Sequence, residues 1–453
     1  MFRDFLSDKE FFKTFIKLAI PIALQNLVIS SLNMVDTIMV GQLGETEIAA
    51  VGLANQIFFL LNLFMFGIVS GSAIFTAQFW GKKDVLNVRR VLGLSLMLSI
   101  AVSFLFTLLG IFAPVSTIGI FTADTQVISL GSQYLSVVAF SYIVTSITFC
   151  YNFALRSTGN ARLPMLVSVV ALITNTVLNY LLIFGKFGFP AMGVSGAALA
   201  TVIARVLEVV ILLFVVYRNN YPVAARLREM FDQSMDFVIH YLYTTIPVIL
   251  NECIWSVGVS IYSVIYARMG TEVIASINIA STIERLALVL FIGMGNACAV
   301  MVGNKIGAND EDTAYVYARR FVTIGPFLGI FIGLLLVLCT GLILSVYNVS
   351  NDVIEAARRI LVVFSIAMPI RIFNLIMIVG VMRSGGDTKF SLVMDTAGVW
   401  LIAIPLAYVG GITLGLPVHW VYVLVVMEEV FKFGLGVWRF LSRKWINNLV
   451  NHA

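Results

Sequence analysis

Few residues in this chain could do chemistry, and most of them sit where a charge is costly. Glu252 follows Pro247 by five positions in an apolar run and shares a helical face with Ser256 and Ser263, next to Trp255 and Tyr262. A carboxylate in that setting could hold a sodium ion, carry a proton or face an organic cation. Asp36 sits beside a stripe of Asn26, Ser30, Asn33 and Thr37 at i, i+4, i+7, i+11 spacing. Such a face is too polar for lipid, so it lines water or packs on another polar helix. Asn175 and Asn179, four apart in a later apolar segment, could meet that carboxylate. A charge at the centre of a membrane helix costs about 2.5–3.5 kcal/mol on insertion scales, which makes these residues functional candidates by default. Structural hydrogen bonding between helices is the alternative for each.

The remaining charges in apolar segments divide into pairs. Arg205 and Glu208 are three apart and most simply pair with each other. Glu284 and Arg285 are adjacent, so each needs its own partner. Arg371, with Asn374, follows Pro369, and Asp395 opens the next segment; for Arg371 an ion pair with a carboxylate and a substrate contact are both open. Glu428 and Lys432 have the favourable i, i+4 order and, with Glu429, form an internally paired group. No GxxxxGK[ST] motif follows a strand, and no nucleophile lies with a base, so an enzyme reading has no residues to stand on. The four cysteines and three histidines show no CxxC or metal-ligand spacing, so neither a disulfide framework nor a resident metal or other cofactor is expected.

What positions these residues is a set of long apolar segments. Hydrophobic residues make up 60% of the 453 and charged residues 12%, half the usual charged share of a soluble domain. About 20 apolar residues cross a bilayer. Segments that long lie at 14–42, 49–80, 90–113, 131–155, 163–185, 192–217, 238–268, 275–305, 318–345, 358–383, 390–410 and 418–442, twelve in all. With breaks assigned alternately to two sides, one side collects 21 Lys and Arg and the other 4. The positive-inside rule then places both termini in the cytoplasm of a multi-pass plasma (inner) membrane protein, and the net charge of +5 needs no nucleic-acid partner. The opening MFRDFLSDKEFFKTFIKLAIP spreads charge through its length and reads as an amphipathic lead-in to the first span, not a removable signal.

The chain also repeats itself. At an offset of 226, Pro21 meets Pro247, Gln25 meets Asn251, Gly44 meets Gly270, Gly67 meets Gly293 and Asp84 meets Asp310. At 227, the stretch from Leu155 through Arg156 and Gly159 to Arg162 meets the stretch from Met382 through Arg383 and Gly386 to Lys389. Glycines, prolines and an RSxG turn in register mark a duplication. Each half holds six spans, so the repeat is parallel, with a pseudo-two-fold axis along the membrane normal. The expected organisation is all-α: an N-lobe at 1–217, a basic cytoplasmic linker at 218–237 long enough to let the halves rock, and a C-lobe at 238–453. This favours alternating access over a static pore.

These residues resemble the multidrug and toxic compound extrusion (MATE) family, most closely its NorM-like type. The resemblance rests on the proline-containing first span ending Asp36-Thr-Ile-Met-Val-Gly-Gln-Leu-Gly44, on Ala54-Asn-Gln56, Gly81-Lys-Lys-Asp84 and Leu155-Arg-Ser-Thr-Gly159, and on their second-half counterparts. It implies twelve helices in two six-helix lobes around a V-shaped cavity, and export of organic cations in exchange for sodium ions or protons. By position, Asp36 matches the acidic residue of the first helix, Glu252 the seventh-helix glutamate used in cation binding by the sodium-driven NorM type, and Asn175 the fifth-helix asparagine of the N-lobe site. Either Asp36 or Glu252 is thereby a candidate sodium ligand, with Asn179 beside the former. Asn179-Tyr180 stands where the DinF type carries Asp-Pro, and the tenth span offers Arg371 and Asn374 in place of the NorM-type aspartate. Asn26, Asn33, Trp255, Tyr262, Glu284, Arg371, Asn374 and Asp395 are the candidate cavity residues.

A flippase for a lipid-linked oligosaccharide is the closest rival, but a lipid pyrophosphate calls for several cavity arginines, and Arg205, Arg285, Arg371 and Lys432 mostly stand beside carboxylates. A channel would be built as a symmetric ring of chains, which an internally duplicated monomer does not need. The duplication is abandoned at the sites of interest: Asp36 faces Tyr262, Glu252 faces Asn26, and Asn175 faces Ile402.

Overall fold

A computed structural model describes residues 8–347 and 349–451; Arg3 and the rest of the opening lead-in at 1–7 lie outside the described residues. Among the described residues ten helices are long and apolar enough to cross a membrane: α1 (Lys9–Gly41), α2 (Glu45–Gly81), α3 (Val85–Phe112), α5 (Arg162–Phe184), α6 (Gly193–Arg218), α7 (Met235–Met269), α8 (Thr271–Gly307), α9 (Glu311–Leu344), α10 (Asn351–Met382) and α11 (Thr388–Thr413). An eleventh, α4, is formed by Thr125–Val138 and Phe140–Ser157 with a 48° bend between them. The twelfth, α12 (Val418–Leu441), has the length but carries Glu428, Glu429 and Lys432 near its middle. Among the described residues the only β feature is an isolated bridge between Gly386 and Ile446.

Most of the helices begin earlier than the apolar segments do. The expected 49–80 and 318–345 become Glu45–Gly81 and Glu311–Leu344, because acidic first turns (Glu45 and Glu47; Glu311 and Asp312) suit the positive end of a helix. Caps repeat with the sequence: Asp84 accepts from the backbone N–H of Asn87 at 3.1 Å, and Asp310 from that of Thr313 at 3.3 Å. Gly159 (φ 87°) and Gly386 (φ 74°) take the same left-handed turn after the repeated Arg-Ser pair, a conformation a Cβ would strain. The bend in α4 falls at Ala139, whose carbonyl accepts from the backbone N–H of Tyr142 and from Thr107 Oγ1, each at 3.1 Å. In α11, π-turns at Gly398–Ala403 and Val409–Thr413 flank Pro405, which cannot donate to a regular helical ladder.

The chain forms two compact units, one spanning 24–245 and the other holding the residues up to Ala23 together with 246–453. The expected breaks at 217 and 238 therefore fall inside the first unit. The segment 218–237 is not a loose tether, since Arg89 holds Glu229 at 2.9 Å, Arg90 holds Asp232 at 3.1 Å, and Met230 is buried against Gly93. In the first unit the start of α7 packs on α2, where Gly71 makes room for Thr245 and the Ser72 and Tyr241 hydroxyls lie 2.7 Å apart. In the second unit the start of α1 packs on α8, where a Cβ on Gly293 would stand 2.7 Å from the Ala19 carbonyl. In both α1 and α7 the passage between units lies beside a helix-interior proline, Pro21 or Pro247.

Close packing of this kind is testable at Gly385, where a Cβ would overlap the carbonyl oxygen of fully buried Trp445 and come within 2.8 Å of its ring. Gly385→Ala is expected to destabilise the purified protein by roughly 1–3 kcal/mol. Gly434→Ala, with nothing within 4 Å of the new Cβ, should leave the thermal unfolding midpoint unchanged or slightly raised.

Candidate functional site

In the first unit, α5 points two asparagines inward one turn apart. Asn179 Nδ2 donates both to an Asp36 carboxylate oxygen and to Asn175 Oδ1, the latter at 3.0 Å. Asn175 Nδ2 in turn donates to Thr201 Oγ1 of α6 at 3.3 Å. Both asparagines are fully buried and Asp36 is half-buried. Asn179 Oδ1 has no hydrogen-bond partner among the described residues. The result is a set of hard oxygens, contributed by a carboxylate, two amides and a hydroxyl, with no tethered cation among them.

Deeper in the same unit a second chain of contacts runs from the repeated arginine. Arg156 donates to Gln25 Oε1 at 2.5 Å, Gln25 Nε2 to Ser168 Oγ at 3.0 Å, and Ser168 Oγ to Glu208 at 3.1 Å. Glu208 also holds Arg205 at 2.8 Å, the pairing expected from their spacing.

The second unit repeats this scaffold with charges in it. Arg383 donates to Glu252 at 2.6 Å, across the same sequence separation as Arg156 and Gln25, 131 residues. Asn251 Nδ2 donates to Asp395 at 3.2 Å where Gln25 donates to Ser168, and Lys432 binds Asp395 at 2.7 Å where Glu208 binds Ser168. Tyr262 donates to Glu428 at 3.2 Å, and Lys432 lies 3.6 Å from Glu428. Beside them Arg371 lies 3.3 Å from Glu284 and 3.4 Å from Glu429; Tyr422 donates to Glu284 at 2.6 Å, and Asn374 to Glu429 at 2.8 Å.

Several expectations need correcting. Glu252 turns toward the buried guanidinium of Arg383, not toward Trp255, which is 41% exposed, or Tyr262, which serves Glu428. Lys432 does pair with Glu428, but its nearest partner is Asp395 on another helix. Asn26 makes no bond to Asp36, and its Nδ2 is without a partner among the described residues; the ten residues between them are about 15 Å of helix. Asn33 is exposed and contributes its carbonyl to Thr37. Gln25, Arg156, Ser168, Thr201, Arg383 and Tyr422 were not read as site residues. The signal for the two arginines was present, since both are framework matches of the repeat.

Among known families, the MatE profile matches residues 21–181 and again 247–409, so the two matches start at Pro21 and Pro247. The chain belongs to the MatE family. Similar curated proteins include the uncharacterized transporter YisQ of Bacillus subtilis, 26% identical over 97% of this chain and 96% of that one. Another is a Thermotoga maritima protein named probable multidrug resistance protein NorM, 25% identical over 98% of this chain and 96% of that one. Solved structures share the fold. An outward-facing multidrug resistance MATE transporter matches with TM-score 0.85 and 22% identity over 95% of this chain and 96% of its own. The Vibrio cholerae MATE transporter VcmN matches with TM-score 0.87 and 17% identity over 96% and 97%. The chain is thus a NorM-like, multi-pass membrane transporter of this family.

Within that frame one asymmetry stands out. In the second unit Glu252, Glu284, Asp395, Glu428 and Glu429 each have a basic side chain within 3.6 Å. In the first, Glu208 has Arg205, but Asp36 has no ion-pair partner among the described residues. The Arg383–Glu252 pair predicts a specific stability pattern. Arg383→Gln strands a largely buried carboxylate and should cost up to roughly 3–5 kcal/mol. The double variant Arg383→Gln with Glu252→Gln should recover much of that loss in thermal melts.

Proposed function

We propose that this transporter exports organic cations in exchange for sodium ions or protons, and that the exchanged cation is bound at Asp36. The observation that carries this reading is that Asp36, unlike Glu208, Glu252, Glu284, Asp395, Glu428 and Glu429, has no ion-pair partner among the described residues. A carboxylate between membrane helices needs a compensating charge or proton. The basic group nearest in influence, Arg205, is held by Glu208 at 2.8 Å and makes no ion pair with Asp36, which leaves that place to a cation or proton from outside the chain. The oxygens of Asn175, Asn179 and Thr201 suit a hard cation, and Asn179 Nδ2 can steer the carboxylate whether its load is sodium or a proton.

Glu252 is assigned a different part. In the first unit a neutral amide, Gln25, accepts from the repeated arginine, so the contact does not require charge. We read Glu252 as part of the framework and Asp36 as the loaded group. Loading neutralises Asp36 and lets α1, α5 and α6 repack, and the prolines of α1 and α7 offer the points at which those helices can bend. One charge crossing the membrane is worth about 2.3 kcal/mol per 100 mV. A tenfold substrate gradient needs about 1.4 kcal/mol, so one ion per cycle suffices. The basic residues favour a plasma-membrane protein with both termini in the cytoplasm, and the internal duplication favours a monomer. The multidrug naming of the Thermotoga maritima relative supports organic cations as substrates.

Uptake of a fluorescent organic cation into inverted vesicles, with sodium and proton gradients imposed separately, tests the reading and identifies the ion. Asp36→Asn should reduce gradient-driven uptake tenfold or more, Asn179→Ala by about tenfold, and Glu252→Gln by only a few fold. Undiminished uptake in Asp36→Asn would sink the proposal.

A further inference from the structure

The lysine of α12 holds a place that a mobile ion could take. We infer that the ammonium of Lys432 is a tethered cation occupying a cation site built by Asp395, Glu428 and Asn251, so that the second unit keeps permanently what the first unit exchanges. The inference deepens the assignment of the exchanged ion to Asp36 and rests on it.

Three observations carry it. The ammonium lies 2.7 Å from Asp395 and 3.6 Å from Glu428, and Lys432 itself is 3% exposed. Its stem runs over Gly398, where a Cβ would stand 2.6 Å from Lys432 Cε and 3.2 Å from Cγ, so the backbone of α11 is shaped to admit it. Asn251, also 3% exposed, bonds Asp395 through Nδ2 and leaves Oδ1 without a partner among the described residues, a spare hard oxygen beside the pair.

The duplicated contacts show what is special about the lysine. In the first unit the corresponding bond joins a neutral serine to Glu208, whose charge Arg205 balances on the same helix. In the second the serine's counterpart is a carboxylate, and its partner is an ammonium from α12. The partner of this position is a carboxylate on α6 in the first unit and an ammonium on α12 in the second. Without Lys432, the carboxylates of Glu284, Asp395, Glu428 and Glu429 would share one tethered cation, Arg371. A buried cluster in that state takes up a cation from solution.

The test is equilibrium binding of radioactive sodium to the full-length chain in nanodiscs at alkaline pH, where few protons compete with sodium. Lys432→Gln should bind one more sodium ion per chain than its parent, and Lys432→Arg no more than the parent. Adding Asp395→Asn to Lys432→Gln should remove the increment. Asp36→Asn should remove any sodium bound by the parent and leave the increment intact, so failure of the Asp36 assignment registers separately. A folded Lys432→Gln with no extra sodium, or an increment that survives Asp395→Asn, overturns the inference. If Lys432→Gln does not fold, Lys432→Ala prepared in methylammonium chloride decides the matter. Monodisperse protein recovered by methylammonium and not by tetraethylammonium supports a vacated cation site; no recovery overturns it.

Discussion

In each half a chain of buried polar contacts starts from one repeated interaction, the arginine of the Arg-Ser turn reaching into the opening helix of its own half. Arg156 on Gln25 and Arg383 on Glu252 span identical sequence separations and are both deeply buried. Each guanidinium brings five donors into a region with few acceptors, so polar side chains must follow it there and satisfy one another. Gln25 leads to Ser168 and Glu208, and Asn251 leads to Asp395 and Lys432. The duplicated backbone sets the route, and the two halves differ in the charges placed along it.

That difference gives the halves different electrostatic roles. In the second unit arginine and lysine answer every carboxylate described, and tyrosines and asparagines complete the bonding of Glu284, Glu428 and Glu429. Its charges are balanced by groups that cannot leave. In the first unit Asp36 has amide and hydroxyl neighbours but no resident cation. A duplication whose copies both kept an exchangeable site would load two ions per cycle; the exchange proposed at Asp36 loads one.

How much of this could be read from residues alone follows from the distances involved. Helices and the repeat are local or periodic signals, and the long apolar segments, the match of Asp84 with Asp310 and the repeated Arg-Ser turn were legible, whereas the capping role of the two aspartates was not read. Also legible was the meeting of Asn179 with Asp36, because two amides one turn apart had one half-suitable carboxylate within their half. The destination of Glu252 was not legible. Its own helix offered Trp255 and Ser256, and nothing in the spacing indicated that a turn arginine 131 residues later would outbid them. Lys432 was misjudged for the same reason: the i, i+4 carboxylate was visible, and the stronger partner on α11 was not. The unit boundary was missed because polarity marked the 218–237 segment as a linker, while packing carried the start of α7 into the first unit.

Hydrogen–deuterium exchange of the purified chain, compared with and without the coupling ion, addresses the asymmetry between the halves most directly. Ion loading at Asp36 predicts altered exchange in peptides of α1, α5 and α6 that surround Asp36, Asn175, Asn179 and Thr201, with α11 and α12 around Asp395 and Lys432 unchanged. Ion-dependent protection centred on α11 and α12, with α1 and α5 unaffected, would contradict the account.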